Sequence, residues 1–223
     1  MNVEDLIVRF REDADDLVGP AYLWEEPWIV RWLDEAHNEA AIRARILYEA
    51  ANPAICQIAV VASQAVYNIH KSLYEIVRLD FLPAGETRRQ PVKLKTREEL
   101  DEICYDWRTK TDDARVLYAI QDDKRLTLAY TPQISGTLYL EGYRLPLVPL
   151  EDDYDEPEIN EVHHRHLVQW ALHRAFSKPD SESVDSDRAK AALVEFTRYF
   201  GARPDVGLRR ESRFDQPQHN RPW

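Results

Sequence analysis

The chain has 223 residues, 44% of them apolar, enough for one large core or two smaller ones. Forty acidic against 29 basic residues give a formal net charge of −11, which excludes a protein whose whole surface grips nucleic-acid phosphates through Lys and Arg. No stretch reaches the ~18 apolar residues of a membrane span. The opening Met1-Asn2-Val3-Glu4-Asp5 lacks the regions of a signal peptide, and Cys56 and Cys104 are too few for a disulfide framework, so the chain reads as cytosolic with reduced thiols.

In the first segment Val3, Leu6, Ile7, Phe10, Ala14, Leu17 and Val18 recur on one helical face, with Asn2 as N-cap and Gly19-Pro20 as the stop. A loop carrying Trp24 and Pro27 leads to a second helix over residues 28–51. Its stripe is Ile29, Trp32, Leu33, Ala36, Ala40, Ala44 and Leu47, and Glu39 and Arg43 form an exposed pair. After Asn52-Pro53 the period falls to two, which predicts strands. Val77, Leu79 and Phe81 alternate with Arg78 and Asp80, as Leu126, Leu128 and Tyr130 alternate later, followed by Leu138 and Leu140. Turn residues at Asp122-Asp123 and from Pro132 to Gly136 predict an antiparallel meander over residues 115–150. One short helix interrupts it near residues 96–108, where Thr96 and Glu99 suit a capping box and Leu100, Ile103 and Trp107 keep helical spacing.

Residues 151–156 form an acidic loop, and Pro157 suits the first position of a helix reaching Ser177. That helix is apolar nearly all round through Leu167, Val168, Trp170, Ala171, Leu172, Ala175 and Phe176, which predicts a central place. A last helix carries Ala189, Ala192, Leu193, Phe196 and Phe200 and ends at Gly201. Residues 203–223 lose periodicity and carry a charge of +2, with a composition suited to ordering on a partner. The expected class is α+β. Residues 1–53 and 151–201 supply the helices of one bundle, 54–150 a β-rich insertion, and 202–223 an extended tail.

Glu161-Val162-His163-His164 matches the Glu-x-x-His of di-iron bundles, and Asp34 and His37 offer the same spacing on the opposed helix. Such a bundle needs four long helices and two further inward Glu residues, which the apolar stripes lack. No metal site is therefore assigned, and the histidines are expected to bond backbone or solvent or to edge the core. Ser63, Ser72 and Ser135 lack a nucleophile elbow, and the six glycines make no phosphate-cradling loop, so neither catalytic residues nor a cofactor are assigned. Trp24, Trp28, Trp32 and Trp170 read as packing residues rather than a ligand cage.

The run from Trp28 to Ala36, with Arg43-Ala44-Arg45 after it, resembles the second helix of bacteriophage head-to-tail adaptor (connector) proteins. Tyr67 with the strand after it, the Gly142-Tyr143-Arg144-Leu145-Pro146 segment, Pro157-Glu158-Ile159, Trp170-Ala171-Leu172 and the run from Phe196 to Gly201 follow in that family's order. The resemblance covers residues 1–201 and implies a structural virion protein with no catalytic residues. It implies a homo-oligomeric, dodecameric ring at the head-tail interface, assembled in the host cytoplasm, between portal and tail (nozzle or tail-tube) proteins. Genomic DNA would pass through its channel without sequence-specific binding. Arg209, Arg210, Phe214 and Trp223 are then the expected portal-docking residues. Two other classes remain open, a metal-dependent oxidoreductase of bundle type and a small cytosolic binding module.

Overall fold

The computed structural model describes residues 1–17, 19, 22–112, 116–178 and 184–204. Helix α1 (Val3–Ala14) starts where Asn2 accepts the Asp5 amide and the Asp5 carboxylate accepts the Asn2 amide, satisfying two otherwise orphaned N–H groups. It stops at Ala14, four residues earlier than the apolar period suggests. Asp15 takes the left-handed conformation, and the Asp16 carboxylate then accepts bonds from the buried Arg11 guanidinium and the Leu23 amide, each at 2.9 Å. Leu17, counted in the stripe, is exposed.

Helix α2 (Glu26–Ala44) takes Pro27 into its first turn, where the missing N–H costs nothing. It ends at a left-handed Arg45 and not at residue 51, leaving Ala44 exposed. Beyond it, the Glu49 carboxylate gathers the amides of Ala50, Ala51 and Asn52 and pairs with Arg144 at 3.2 Å. A hydrogen-bonded turn thus replaces the last two turns expected of the helix.

The strand-rich segment runs β1 (Tyr48–Glu49), α3 (Pro53–Cys56), β2 (Gln57–Val60), β3 (Val66–Asn68), β4 (Leu73–Pro83), β5 (Gln90–Pro91), β6 (Lys93–Leu94), α4 (Arg97–Ile103), β7 (Thr111–Asp112), β8 (Tyr118–Gln121), β9 (Arg125–Ala129), β10 (Thr131–Pro132) and β11 (Gly136–Arg144). The last helices are α5 (His164–Phe176), preceded by a 3₁₀ turn at Glu161–His163, and α6 (Ser186–Phe200). The class is α+β. The chain forms two compact units, one of Met1–Leu47 with Leu145–Arg203, the other containing Tyr48–Arg144.

In the helical unit α5 packs on α1, α2 and α6, the central position its all-round apolar surface predicts. Phe10, Ile29, Leu33, Leu167, Val168 and Phe196 are wholly enclosed in this core. Trp24 stands edge-on to Phe10 and Phe176 at centroid distances of 5.7 and 5.4 Å, the packing role expected of it, whereas Trp28 is 38% exposed. The Glu39–Arg43 pair is not an exposed one. Arg43 is 8% exposed, bonds Thr197 of α6 at 3.1 Å and lies over the rings of Trp170 and Phe196.

In the other unit one sheet has the order β1–β11–β4–β5, with β2 also on β11, and a second has the order β3–β9–β8–β6. Both contribute to one core through Phe81, Leu79, Leu138, Leu140, Leu126 and Leu128. The expected meander is only half present. β8 and β9 form an antiparallel pair, but β11 leaves them to pair along β4 in the first sheet. The alternation in β4 also breaks: the register shifts by one between Glu141 and Gly142, a bulge that turns Val77 outward, 51% exposed, while Asp80 lies buried against Arg78. Gly142 is required there, since a Cβ would stand 2.1 Å from the Glu75 carbonyl oxygen. A helical turn, α3, precedes the first long strand pairing. α4 has the reciprocal Thr96–Glu99 cap its sequence predicts, but only Leu100 and Trp107 of its expected stripe are buried, Ile103 being 52% exposed.

Candidate functional site

The residues that most resemble a chemical site lie on α2 and at the start of α5, and their side chains are already engaged. Asp34 Oδ1 accepts the Leu150 amide at 3.0 Å, and His37 Nε2, on a fully buried ring, accepts the Glu158 amide at 3.1 Å. Glu161 accepts the terminal ammonium of Met1 at 3.2 Å. His164, 3% exposed, places Nδ1 3.0 Å from the Met1 carbonyl and Nε2 2.8 Å from that of Ile159.

These contacts turn the segment between β11 and α5 into a clasped strap. The α1 amides of Val3 and Glu4 donate to the carbonyls of Asp155 and Asp153 at 2.9 and 3.0 Å, and the Leu147 amide donates to Glu158 Oε2 at 2.9 Å. The Asp155 carboxylate accepts the amides of Glu151 and Asp152, which holds it below the usual carboxylate range. Helix begins at His164 and not at Pro157 because the Glu158 amide is taken by His37 of α2, and the Val162 and His163 amides turn back onto the side chain and carbonyl of Asn160 in the 3₁₀ turn. Pro157 itself is buried. Burial lowers the pKa of His37 to about 4, with Glu158 opposing and His164 adding to the shift. Its Nδ1 is buried without a partner in the structure.

The other histidines among the described residues are also bonded within the protein. His163 Nδ1 lies 3.0 Å from the Tyr199 hydroxyl, His166 stacks on the Tyr199 ring at 3.5 Å, His173 bonds the Ala189 carbonyl, and His70 bonds Ser72. Among the described residues no cluster of three His, Cys, Asp or Glu side chains is arranged to hold a metal, and no helix is long and apolar enough to cross a membrane. Cys56 is buried, and that burial, before the nearby Glu49 and Glu141 charges, pushes its thiol up to about 11.

Charge divides sharply between the units. Residues 1–47 and 145–203 hold 23 acidic and 12 basic side chains, a net −11, whereas residues 48–144 hold 14 and 13, a net −1. Arg209, Arg210, Phe214 and Trp223 lie outside the described residues. The buried polar groups of the helical unit are spent on holding the chain's shape.

The family model for SU10 adaptor protein matches residues 1–221. The chain belongs to the SU10 adaptor protein family. This is a bacteriophage adaptor family whose members have a structural role in the neck of the virion, in contact with portal and tail components. No curated protein matches the chain. The segments that resemble head-to-tail adaptors in sequence fall in α2 (Trp28–Ala36), β3 (Tyr67), β11 opposite the β4 bulge (Gly142), the strap (Ile159, buried), α5 (Trp170–Leu172) and the end of α6 (Phe196–Gly201). The strap was not foreseen. Its one signal was the pair of i, i+3 polar couples Asp34/His37 and Glu161/His164 on facing helices, the spacing that also suits a metal.

Proposed function

We propose that the chain is the head-to-tail adaptor proper, a dodecameric ring between the portal and the nozzle or tail-tube proteins, surrounding the channel through which genomic DNA leaves. The observation that carries this reading is the family match along residues 1–221, which takes in both units and nearly all of the tail. The charge supports it: a helical unit of net −11 repels phosphates, so a duplex passing it meets little to hold it. The ring assembles in the host cytoplasm and leaves the cell as part of the virion.

Electron microscopy of the purified protein, alone and mixed with its portal, is the test. A ring with a central hole on the portal is expected, and failure to bind the portal would refute the proposal. A monomer in the absence of the portal would not, because binding of subunits to a template can drive assembly that the free chain does not reach.

The tail is the portal-docking element in this reading, with Arg209, Arg210, Phe214 and Trp223 as contacts. Aromatic and Arg side chains are enriched at the centres of interfaces, and a polar segment can order as it binds. Truncation after Gly201 should abolish portal binding while leaving the folded body intact. Undiminished binding by the shortened chain would exclude the tail as the docking element.

A further inference from the structure

The ten residues from Arg88 to Arg97 hold five cations, Arg88, Arg89, Lys93, Lys95 and Arg97, and no acid, in a chain of net −11. They run along one rim of the strand-rich unit. β5 ends the order of the first sheet and β6 ends that of the second, so both strands and the loop before them lie at open edges. Lys95 is spent on Glu99 and Arg97 on Asp122, each at 2.8 Å. Arg88, Arg89 and Lys93 are exposed and form no ion pair among the described residues. The Arg89 guanidinium lies 3.6 Å from the centroid of the Tyr139 ring, which fixes its plane and leaves its N–H edge free to meet two oxygens. The unit's other unpaired cations, Lys71, Lys124 and Arg125, sit where the β3–β4 turn meets the β8–β9 turn, the Ile69 amide bonding the Lys124 carbonyl at 3.0 Å. Over residues 69–75 and 122–125 they are matched by Glu75, Asp122 and Asp123, three bases to three acids. The β5–β6 rim instead keeps an excess of positive charge: from Ala84 to Lys95 four bases stand against Glu86 alone.

We infer that this rim is a sequence-independent contact for the phosphate backbone of duplex DNA, with Arg88, Arg89 and Lys93 each taking one phosphate. The inference rests on the proposed channel, which brings the duplex. Three unpaired cations call for an anionic partner, and the composition of the rim chooses between a nucleic acid and an acidic protein. Protein interfaces centre on buried apolar and aromatic side chains and keep charge to their margins, but no large apolar side chain between Ala84 and Arg97 is exposed. Thr87 and the two arginines, which are exposed there, are of the types that contact phosphates. A lysine on an edge strand can serve merely to block pairing with another sheet, which would account for Lys93. Two adjacent arginines on the loop before β5, one of them preset on an aromatic ring, have no such use. Three contacts are weak in one subunit and sum only where several subunits meet one duplex, which suits a conduit that must not hold its cargo.

The test is fluorescence anisotropy of the full-length protein with a short duplex of mixed sequence, begun at low salt and continued as salt is raised. At about −0.9 per phosphate, three contacts give a logarithmic salt slope of about −2.7. Arg88→Ala/Arg89→Ala/Lys93→Ala changes only exposed side chains and should weaken binding about tenfold or more, flattening the slope by about one for each cation removed. Lys71→Ala/Lys124→Ala/Arg125→Ala removes the same charge from the matched turns and should leave the slope unchanged. Thermal melts of both variants at the wild-type temperature exclude unfolding as the cause. No binding by wild type at low salt, or equal losses in the two triple variants, would overturn the contact. So would a polyglutamate peptide that binds as tightly as the duplex and is lost with the same three residues, which would give the rim to an acidic protein. Each of these results leaves the channel standing if a ring still forms on the portal. A chain that binds the duplex through the rim but forms no ring would refute the channel and not the contact.

Discussion

Acid should loosen the helical unit through His37 before the surface carboxylates are protonated. Its Nε2 accepts the Glu158 amide, so in the folded state the ring must be neutral, and burial holds its pKa at about 4 against 6.5 for a free side chain. Between those values the unfolded chain binds a proton that the folded chain refuses. Stability is therefore full above the unfolded value and falls as pH drops toward the folded one. At about 1.36 kcal/mol per pH unit the gap corresponds to roughly 3 kcal/mol, of which roughly 2 kcal/mol is lost by about pH 5. Urea titrations followed by helical ellipticity at neutral pH and at about pH 5 measure this loss. His37→Gln keeps an acceptor for the Glu158 amide but cannot be protonated, so its stability should change far less over the same window. Parallel losses in wild type and variant would refute the argument and place the acid sensitivity elsewhere.

Gly142→Ala should destabilise the strand-rich unit by about 3 kcal/mol or more, the upper end of overpacking costs, because the new Cβ meets a backbone carbonyl at 2.1 Å and not a movable side chain; thermal melts report it. Arg144→Leu should fall at the low end of the about 3–5 kcal/mol that follows the loss of one partner of a buried ion pair, since three backbone amides still serve Glu49. An unfolding titration that finds no cost would show that those amides suffice. Added salt should raise the stability of the helical unit and leave the nearly neutral strand unit unmoved, because screening relieves the repulsion of a net −11. Hydrogen exchange that resolves the two units, measured at low and moderate ionic strength, would contradict this if the helical unit became less protected.

Local chemistry was legible wherever a few neighbouring residues decide the outcome. Asn2 and Thr96 begin helices as their side chains predict, Gly201 ends one, and the all-round apolar face of α5 betrays its central place. What the sequence hid depends on distant partners. Pro157 has the local credentials of a helix start, but the Glu158 amide is taken by His37, 121 residues away. Val77 leaves its expected environment because the bulge opposite Gly142 shifts the register, whereas Asp80 is buried between its pairing with Arg78 and the edge strand β5, and nothing within the alternating run signals either. The meander failed for the same reason: β11 chooses β4 over its neighbour in sequence, and strand pairing at that separation leaves no local trace. The candidate docking residues in the tail lie outside the described residues.

The likeness of the clasp to a metal motif has a physical source. Residues three apart on a helix face the same side, so Asp34/His37 and Glu161/His164 have the spacing of an acid–imidazole couple, but only the two imidazoles are buried, while Glu161 is exposed and reaches the terminal ammonium. Two metal ions would need those groups to converge with further carboxylates. Here they diverge onto backbone amides, carbonyls and the terminal ammonium, neutralising the polar ends of a strap and the start of α1 that would otherwise be buried without partners. The interior polar groups are consumed in this way, and the net −11 of the helical unit repels nucleic acid and acidic partners alike.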